Sequence, residues 1–551
     1  MTARTLPDMH VYGEYGWLRG MNINIFYDAS FFSDKIFAPV EILEAGFAQY
    51  GSKRLDCRDL ASACLSGENN VLVLPYGSYF PVDAFEGIRK FLAEGGDIII
   101  LGEIPFLFPC FWHKGSWKVY DTLNLGVWWT MLPVEYANRL GIAPWIVGVD
   151  SEVSRLDPFW EIRPAYLRYF GSAVSLLCER FYSSLRPLDC GRKTVIAESG
   201  KNSSPAPGIS DFVNLVEPSG DPDINGRILS VGFAPAKTWT LENHADFLRG
   251  LIQTLAVEKE NRLPFGLKLS NRIISQKLSL ELELWSRPWN ENRKSKSLQL
   301  QLQSAENNGS NNVIEKIEVA PPVSPHRVKM TLPTESLSPG SYNLSLRYEG
   351  EEMLSVRFSV LDAPELTPQK VKAVRVNSYP AFEIDGKKVP ALIYAFDTVD
   401  RALDSLVEGF SRTGVHIHHF LYPLMLGWKD DTSFDWSSFD KMAERVLRSD
   451  PSALLYPRIF LETPPWWDEK YPEELVVYRN GNNFIDGAKD SKLSTPGFWS
   501  KTHTPSWASE KWRQDMRKVI EDFVRHAQNS VYGSRMFGYF FVHGKCGEWY
   551  P

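Results

Sequence analysis

The 551 residues predict a multidomain α/β protein with three parts. These are an α/β layer domain over residues 1–262, a β-sandwich of immunoglobulin-like type over 263–365, and the first half of a (β/α)8 barrel over 366–551. Three observations predict this. Short apolar runs alternate with amphipathic stretches from about residue 20 to 260. Apolar residues then fall at every second position, and βα units repeat from Phe382 onward.

In the first part, Asn22 to Tyr27 reads as a strand and Ala38 to Tyr50 as an amphipathic helix. Val71–Leu74 is a buried strand followed by Pro75-Tyr76-Gly77. Asp83 to Glu94 is a helix stopped by Gly95-Gly96, where a left-handed residue closes the last turn. Asp97–Leu101 is the next strand, with Gly102-Glu103-Ile104-Pro105 as its turn. Residues 105–225 are rich in Trp, Phe and Pro, show weak periodicity, and read as an insertion or cover.

This stretch resembles the class I glutamine amidotransferase-like fold. The resemblance implies a Cys on the turn after 97–101, where Glu103 stands, and a Phe-His-Pro-Glu signature where Phe233-Ala234-Pro235-Ala236 stands. With nucleophile and base replaced, the domain reads as non-catalytic, because a nucleophile needs a base within hydrogen-bond reach. Cys110 with His113 is the nearest alternative pair.

From about 266 to 362, Leu278, Leu280, Leu282 and Leu284 alternate with Ser279, Glu281 and Glu283, and Leu298, Leu300 and Leu302 alternate with Gln. Leu337-Ser-Pro-Gly340 is a turn before the same pattern at Tyr342, Leu344, Leu346 and Tyr348. Phe382 to Pro390 is a hairpin around Asp385-Gly386, a pair that accepts the positive φ angles of a tight turn. Strands at 391–396, 415–421, 453–461 and 537–542 then alternate with helices at 399–413, 437–448 and 510–529. Such βα repeats imply parallel strands with right-handed crossovers.

Composition narrows the function. A net charge of −7 leaves no basic footprint for nucleic acid. No stretch approaches the roughly 18 apolar residues of a membrane span, and no apolar leader stands at the N-terminus, so a cytoplasmic location is expected. The triplets at Asn202, Asn308 and Asn343 are then chance. Cys57, Cys64, Cys110, Cys178, Cys190 and Cys546 lack metal-type or disulfide spacing. The 18 Trp among 72 aromatic residues suit either a large core or sugar stacking, and choosing between them needs the site itself.

The C-terminal part resembles the barrel of clan A glycoside hydrolases, most nearly the β-galactosidase-like families. The hairpin, Phe434-Asp-Trp-Ser-Ser-Phe-Asp440, Glu462-Thr-Pro-Pro-Trp-Trp467 and the closing Gly538–Pro551 carry the resemblance, in that order and spacing. It implies a retaining glycosidase acting on a β-glycoside, without cofactor or metal. Glu548, at the end of the fourth strand, takes the acid/base position, although Gly547 replaces the family's usual Asn. Arg458, Trp466, Trp467, His543 and Trp549 are the substrate-binding candidates. His416, His418 and His419 suggest a metal cluster, but in a strand His419 points away from the other two and no acidic ligand accompanies them.

A whole (β/α)8 barrel takes roughly 250 residues. Only about 160 follow Pro390, and they hold four strands. The chain is therefore expected to be the N-terminal fragment of a glycosidase that lacks the nucleophile and is inactive alone. The alternative is a non-catalytic carbohydrate-binding or subunit-assembly protein; homo-oligomer formation is left open.

Overall fold

The computed structural model describes residues 21–543 except 63–69, 114, 120–133, 147–158, 174, 182, 188–189, 200–210, 236, 260–261, 264, 276–278, 287–297, 306–312, 320–326, 335, 349, 362–370, 396–402 and 478–504. The chain is mixed α/β with several sheets. It divides into two compact units, one of residues 1–120 and 134–266, the other of 121–133 and 267–551.

The first unit is built on a ten-stranded sheet. Its strands are β1 (Asn22–Phe26), β2 (Ser52–Leu55), β3 (Asn70–Leu74), β4 (Asp97–Leu101), β5 (Phe159–Ile162), β6 (Ser175–Phe181), β7 (Gly191–Ser199), β8 (Asp211–Pro218), β9 (Ile228–Val231) and β10 (Phe233–Pro235). They lie in the order β10-β6-β5-β7-β8-β9-β4-β3-β1-β2. The block β9-β4-β3-β1-β2 is parallel and the rest antiparallel. Val71, Val73, Ile99 and Leu101 face a core formed with α1 (Val40–Phe47) and α3 (Leu241–Val257). Leu72, Leu74, Ile98 and Ile100 face a second core with α2 (Phe85–Ala93). Burial on both faces explains why these strands read as unbroken apolar runs. Gly95, at φ 89°, ends α2 in the left-handed conformation. The stretch 105–225, read from sequence as an insertion or a cover, supplies four strands, β5 to β8, to this sheet.

A buried ion pair sits at the start of β4. The Arg227 guanidinium donates to both oxygens of Asp97, at 3.0 and 2.6 Å, and Arg262 donates at 3.1 Å. Burial opposes the charge on Asp97, but these two guanidiniums outweigh it and hold the carboxyl below its ordinary range.

The chain continues with β11 (Phe265–Leu269), β12 (Ile273–Ser275), β13 (Leu280–Ser286), β14 (Leu298–Ser304), β15 (Val313–Val319), β16 (Arg327–Leu332), β17 (Gly340–Tyr348) and β18 (Glu351–Leu361). They form a three-stranded sheet, β11-β13-β16, and a five-stranded one, β12-β18-β17-β14-β15. Leu298, Leu300 and Leu302 pair with Tyr348, Leu346 and Leu344, so the alternating leucines share one buried face.

A three-stranded meander follows: β19 (Val371–Val376), β20 (Tyr379–Ile384) and β21 (Lys387–Pro390). Asp385 and Gly386 both have positive φ, at 48° and 82°, as the hairpin reading requires. Asn377 and Ser378 do the same at 49° and 71°, a turn with no glycine to announce it.

Then comes a four-stranded parallel sheet, β22 (Ile393–Ala395), β23 (Ile417–Pro423), β24 (Leu454–Phe460) and β25 (Phe540–Val542), hydrogen-bonded in sequence order. Between the strands run α4 (Leu403–Arg412), α5 (Ser437–Ser449), the short α6 (Pro465–Lys470) and α7 (Glu510–Asn529). Ser509 caps α7 by accepting from the Trp512 N–H at 2.9 Å. Within the described residues this is the βα order and spacing the sequence predicts.

Candidate active site

The two faces of the four-stranded sheet differ. Phe420, Tyr422, Leu455 and Ile459 belong to the core with Phe439 and Ala443 of α5 and Phe523 of α7. Alternation turns the intervening residues to the opposite face. Register sets His419 beside Tyr456, Leu421 beside Arg458 and Phe540, and Phe460 beside Val542. In a barrel this second face is the interior, and chemistry gathers where it meets the C-terminal strand ends.

Arg458 lies on that interior face. Its guanidinium carbon is 5.4 Å from the Phe460 ring centre and 5.6 Å from that of Phe540, within cation–π range. The two rings thus flank the cation. Two residues beyond the strand, on the same alternation, Glu462 is only 5% exposed. Its backbone neighbour Leu461 extends the ladder by donating to Val542 O at 2.9 Å. Sequence reading quoted Glu462 inside a motif without assigning it a role; the signal was its even spacing from Arg458.

His543 directly follows β25 and is 1% exposed. Its imidazole stacks on Trp512 at 5.1 Å and lies 5.6 Å from the Trp507 ring. Trp466 is half-buried, edge-on to Trp428 at 5.4 Å, with its indole N–H directed at Trp428 O at 3.4 Å. Trp467 takes a different place from the expected sugar platform. It is fully buried in the helix-side core and donates its indole N–H to Asp515 Oδ2 at 2.9 Å. A Pro-Pro-Trp-Trp sequence does not say which indole turns inward. Glu548 and Trp549 lie outside the described residues.

Asp515 itself is a conserver of shape rather than of chemistry. Burial raises its pKa, yet donation from Lys511 and Trp467 outweighs this and holds the carboxyl below its ordinary range.

The histidine triplet splits as strand geometry requires, with His419 on the interior face 6.1 Å from the rings of Tyr456 and Phe540. The reading that no acid accompanies the other two is corrected. Asp450, 2% exposed, meets His416 Nδ1 at 2.9 Å and His418 Nε2 at 2.8 Å. These three tie the N-terminal end of β23 to the end of α5. No group of three or more such side chains able to hold a metal is found among the described residues.

In the first unit, Glu103 occupies the turn after β4 at φ 51°, a left-handed conformation unusual for a side chain other than Asn, Asp or Gly. Ile104 N donates to Ser78 Oγ at 3.1 Å beside it. Ala234 lies in β10, paired with β6; Ala236 lies outside the described residues. Cys110 is fully buried, and burial pushes its thiol up to about 12, the opposite of an activated nucleophile.

No family model matches the sequence, and no curated protein matches it. Among solved structures, a catalytic mutant of a family 42 β-galactosidase from G. stearothermophilus aligns at 9% identity and TM-score 0.27, over 62% of this chain and 40% of that one. A ThuA-like protein from Bacteroides uniformis aligns at 10% identity and TM-score 0.26, over 43% of this chain and 92% of that one. An α-L-fucosidase from Paenibacillus thiaminolyticus aligns at 11% identity and TM-score 0.25, over 62% and 49%. This chain thus spans about two fifths of the β-galactosidase's length. No residue role follows from likeness this weak. Among the described residues, no helix is long and apolar enough to cross a membrane.

Proposed function

We propose that the chain is part of a retaining, β-galactosidase-like glycoside hydrolase that cleaves a β-glycoside, with Glu548 as acid/base. The observation that supports this is the four-stranded parallel sheet. Its interior face carries Arg458 and leads to Glu462, and its fourth strand ends at Val542, six residues before Glu548 in sequence. Arg458 suits sugar hydroxyls, and Trp466 and Trp549 suit the sugar's apolar face, while His543, stacked on Trp512 in the helix-side core, supports the strand end. The first unit serves as a non-catalytic amidotransferase-like domain and the strands of 263–365 as an immunoglobulin-like spacer.

Two carboxyl groups must flank the anomeric carbon, about 5 to 5.5 Å apart in a retaining enzyme. One protonates the departing oxygen while the other attacks, so the bond to the leaving group breaks as the glycosyl–enzyme ester forms. Water, deprotonated by the first group, then releases the sugar. The second carboxylate is expected to face Glu548 from the opposite side of the substrate.

The test is hydrolysis of aryl β-glycosides by the chain with its barrel complete, following the anomer released first. A β-anomer is expected. An α-anomer contradicts the retaining assignment, and no release from any aryl β-glycoside contradicts the glycosidase.

A further inference from the structure

In the first unit, aromatic side chains gather at the carboxyl ends of the parallel strands. β1 lies between β2 and β3, so the chain reverses its direction of travel across the sheet there. In open α/β sheets, ligands bind outside the strand ends at such a reversal. Phe31 and Phe32 follow β1, Tyr79 follows β3, and a hairpin of Phe108–His113 with Ser116–Val119 follows β4. Their rings meet. Phe31, 2% exposed, is the floor: it lies 5.0 Å from Phe32 and 5.0 Å from Trp117, and Phe32 lies 5.1 Å from Tyr79.

On the hairpin, Trp112 pairs with Trp117 across the two strands, and their rings stand edge to face at 5.5 Å. Trp112 is 52% exposed, too open for a residue whose role is packing. Trp117 is fixed from one side. Its indole N–H donates to Ser30 Oγ at 3.1 Å, and Ser30 donates to Asp28 Oδ1 from its hydroxyl at 2.6 Å and from its backbone N–H at 2.9 Å. Burial opposes the charge on Asp28, but donation from Ser30 and Cys57 outweighs it and holds the carboxyl below its ordinary range. The segment leading from β4 to the hairpin carries two strained residues, Glu103 at φ 51° and Phe106 at φ 57°. A bulky residue keeps a positive φ only where its surroundings enforce it, and such strain clusters at functional positions.

From this geometry we infer that the Trp112–Trp117 pair, with Phe32 and Tyr79 beside it, is a binding platform for a neutral oligosaccharide. A pyranose offers an apolar C–H face to an indole and a rim of hydroxyls, each of which donates as well as accepts. Asp28, an ionised acceptor one hydrogen-bonded step from Trp117, selects among occupants. It repels the phosphates of a nucleic acid. It also finds no donor in a proline-rich peptide, whose prolines lack the backbone N–H. Sugar hydroxyls satisfy both the ring and the acid.

Isothermal titration of the full chain with galactotetraose, cellotetraose, mannotetraose, xylotetraose and maltotetraose tests the platform. At least one is expected to bind, and Trp112→Ala to weaken it about tenfold, the size of one stacking contact. Trp112→Phe, which keeps a ring, recovers part of that loss, and Ser30→Ala, which releases the Trp117 indole, weakens the same sugar. Since Trp112 is half exposed, its variants keep the wild-type melting temperature, which separates lost binding from lost folding. Leu241→Ala, at a 70% exposed site in the same unit, leaves binding unchanged.

Binding of none of the five sugars, or binding indifferent to Trp112→Ala, overturns the proposal. So does Trp112-dependent capture of octaproline in their place, which reassigns the platform to a peptide. The glycosidase reading is tested apart from this one, by hydrolysis of aryl β-glycosides, and neither result decides the other.

Discussion

The indole of Trp512 lies 5.1 Å from the imidazole of His543, with the ring planes 16° apart. The contact fastens the first turn of α7 to the C-terminal end of β25, the strand that leads to Glu548. Trp512→Ala is therefore expected to cost about 3 to 5 kcal/mol, the range for removing a buried aromatic. Urea unfolding measures it; an unmoved midpoint contradicts the packing described.

Trp466 and Trp467 are adjacent in sequence and opposite in role. Trp467→Ala removes a fully buried ring whose N–H satisfies Asp515. The expected loss is again about 3 to 5 kcal/mol of stability. Trp466→Ala, at a half-buried site, is expected to unfold the chain less and to raise KM for an aryl β-glycoside once the barrel is complete. Equal unfolding midpoints for the two variants would contradict this division.

Asp515 makes the second unit sensitive to acid. Its folded-state pKa lies below the unfolded value of about 3.9, so its stabilisation is present above that pH and fades as pH falls through the folded value. Thermal melts between about pH 2 and pH 6 are expected to show a falling acid flank that is shallower in Asp515→Asn. An unchanged flank in the variant contradicts the assignment.

Cys110 should resist alkylation. With its thiol pushed up to about 12, only about one molecule in ten thousand carries the thiolate at pH 8, and the side chain is fully buried besides. Mass spectrometry after native iodoacetamide treatment is expected to find it unmodified. Stoichiometric labelling would reopen an activated cysteine in the first unit.

Legibility followed the range of the interactions. The strands at 71–74 and 97–101, the turn at Asp385-Gly386 and the alternating leucines of 280–302 are short-range patterns, and each was readable residue by residue. The strands of 159–218 were not, because antiparallel pairing with distant segments sets them, and irregularities such as the shift between Val195 and Ala197 break their alternation. The turn at Asn377-Ser378 was hidden because serine does not advertise a positive φ. In the site, strand parity separated His419 from His416 and His418. Asp450 stayed unseen because it arrives from the end of a helix, 34 residues from His416 in sequence. Trp467's inward turn depended on Asp515, 48 residues away.

The most direct test of the central claim is the rate of aryl β-glycoside hydrolysis by the wild-type chain with its barrel complete against Glu548→Gln prepared identically. Loss of the acid/base is expected to lower kcat by about 10²- to 10⁴-fold. Equal rates in the two proteins would contradict a catalytic role for Glu548, and the glycosidase account with it.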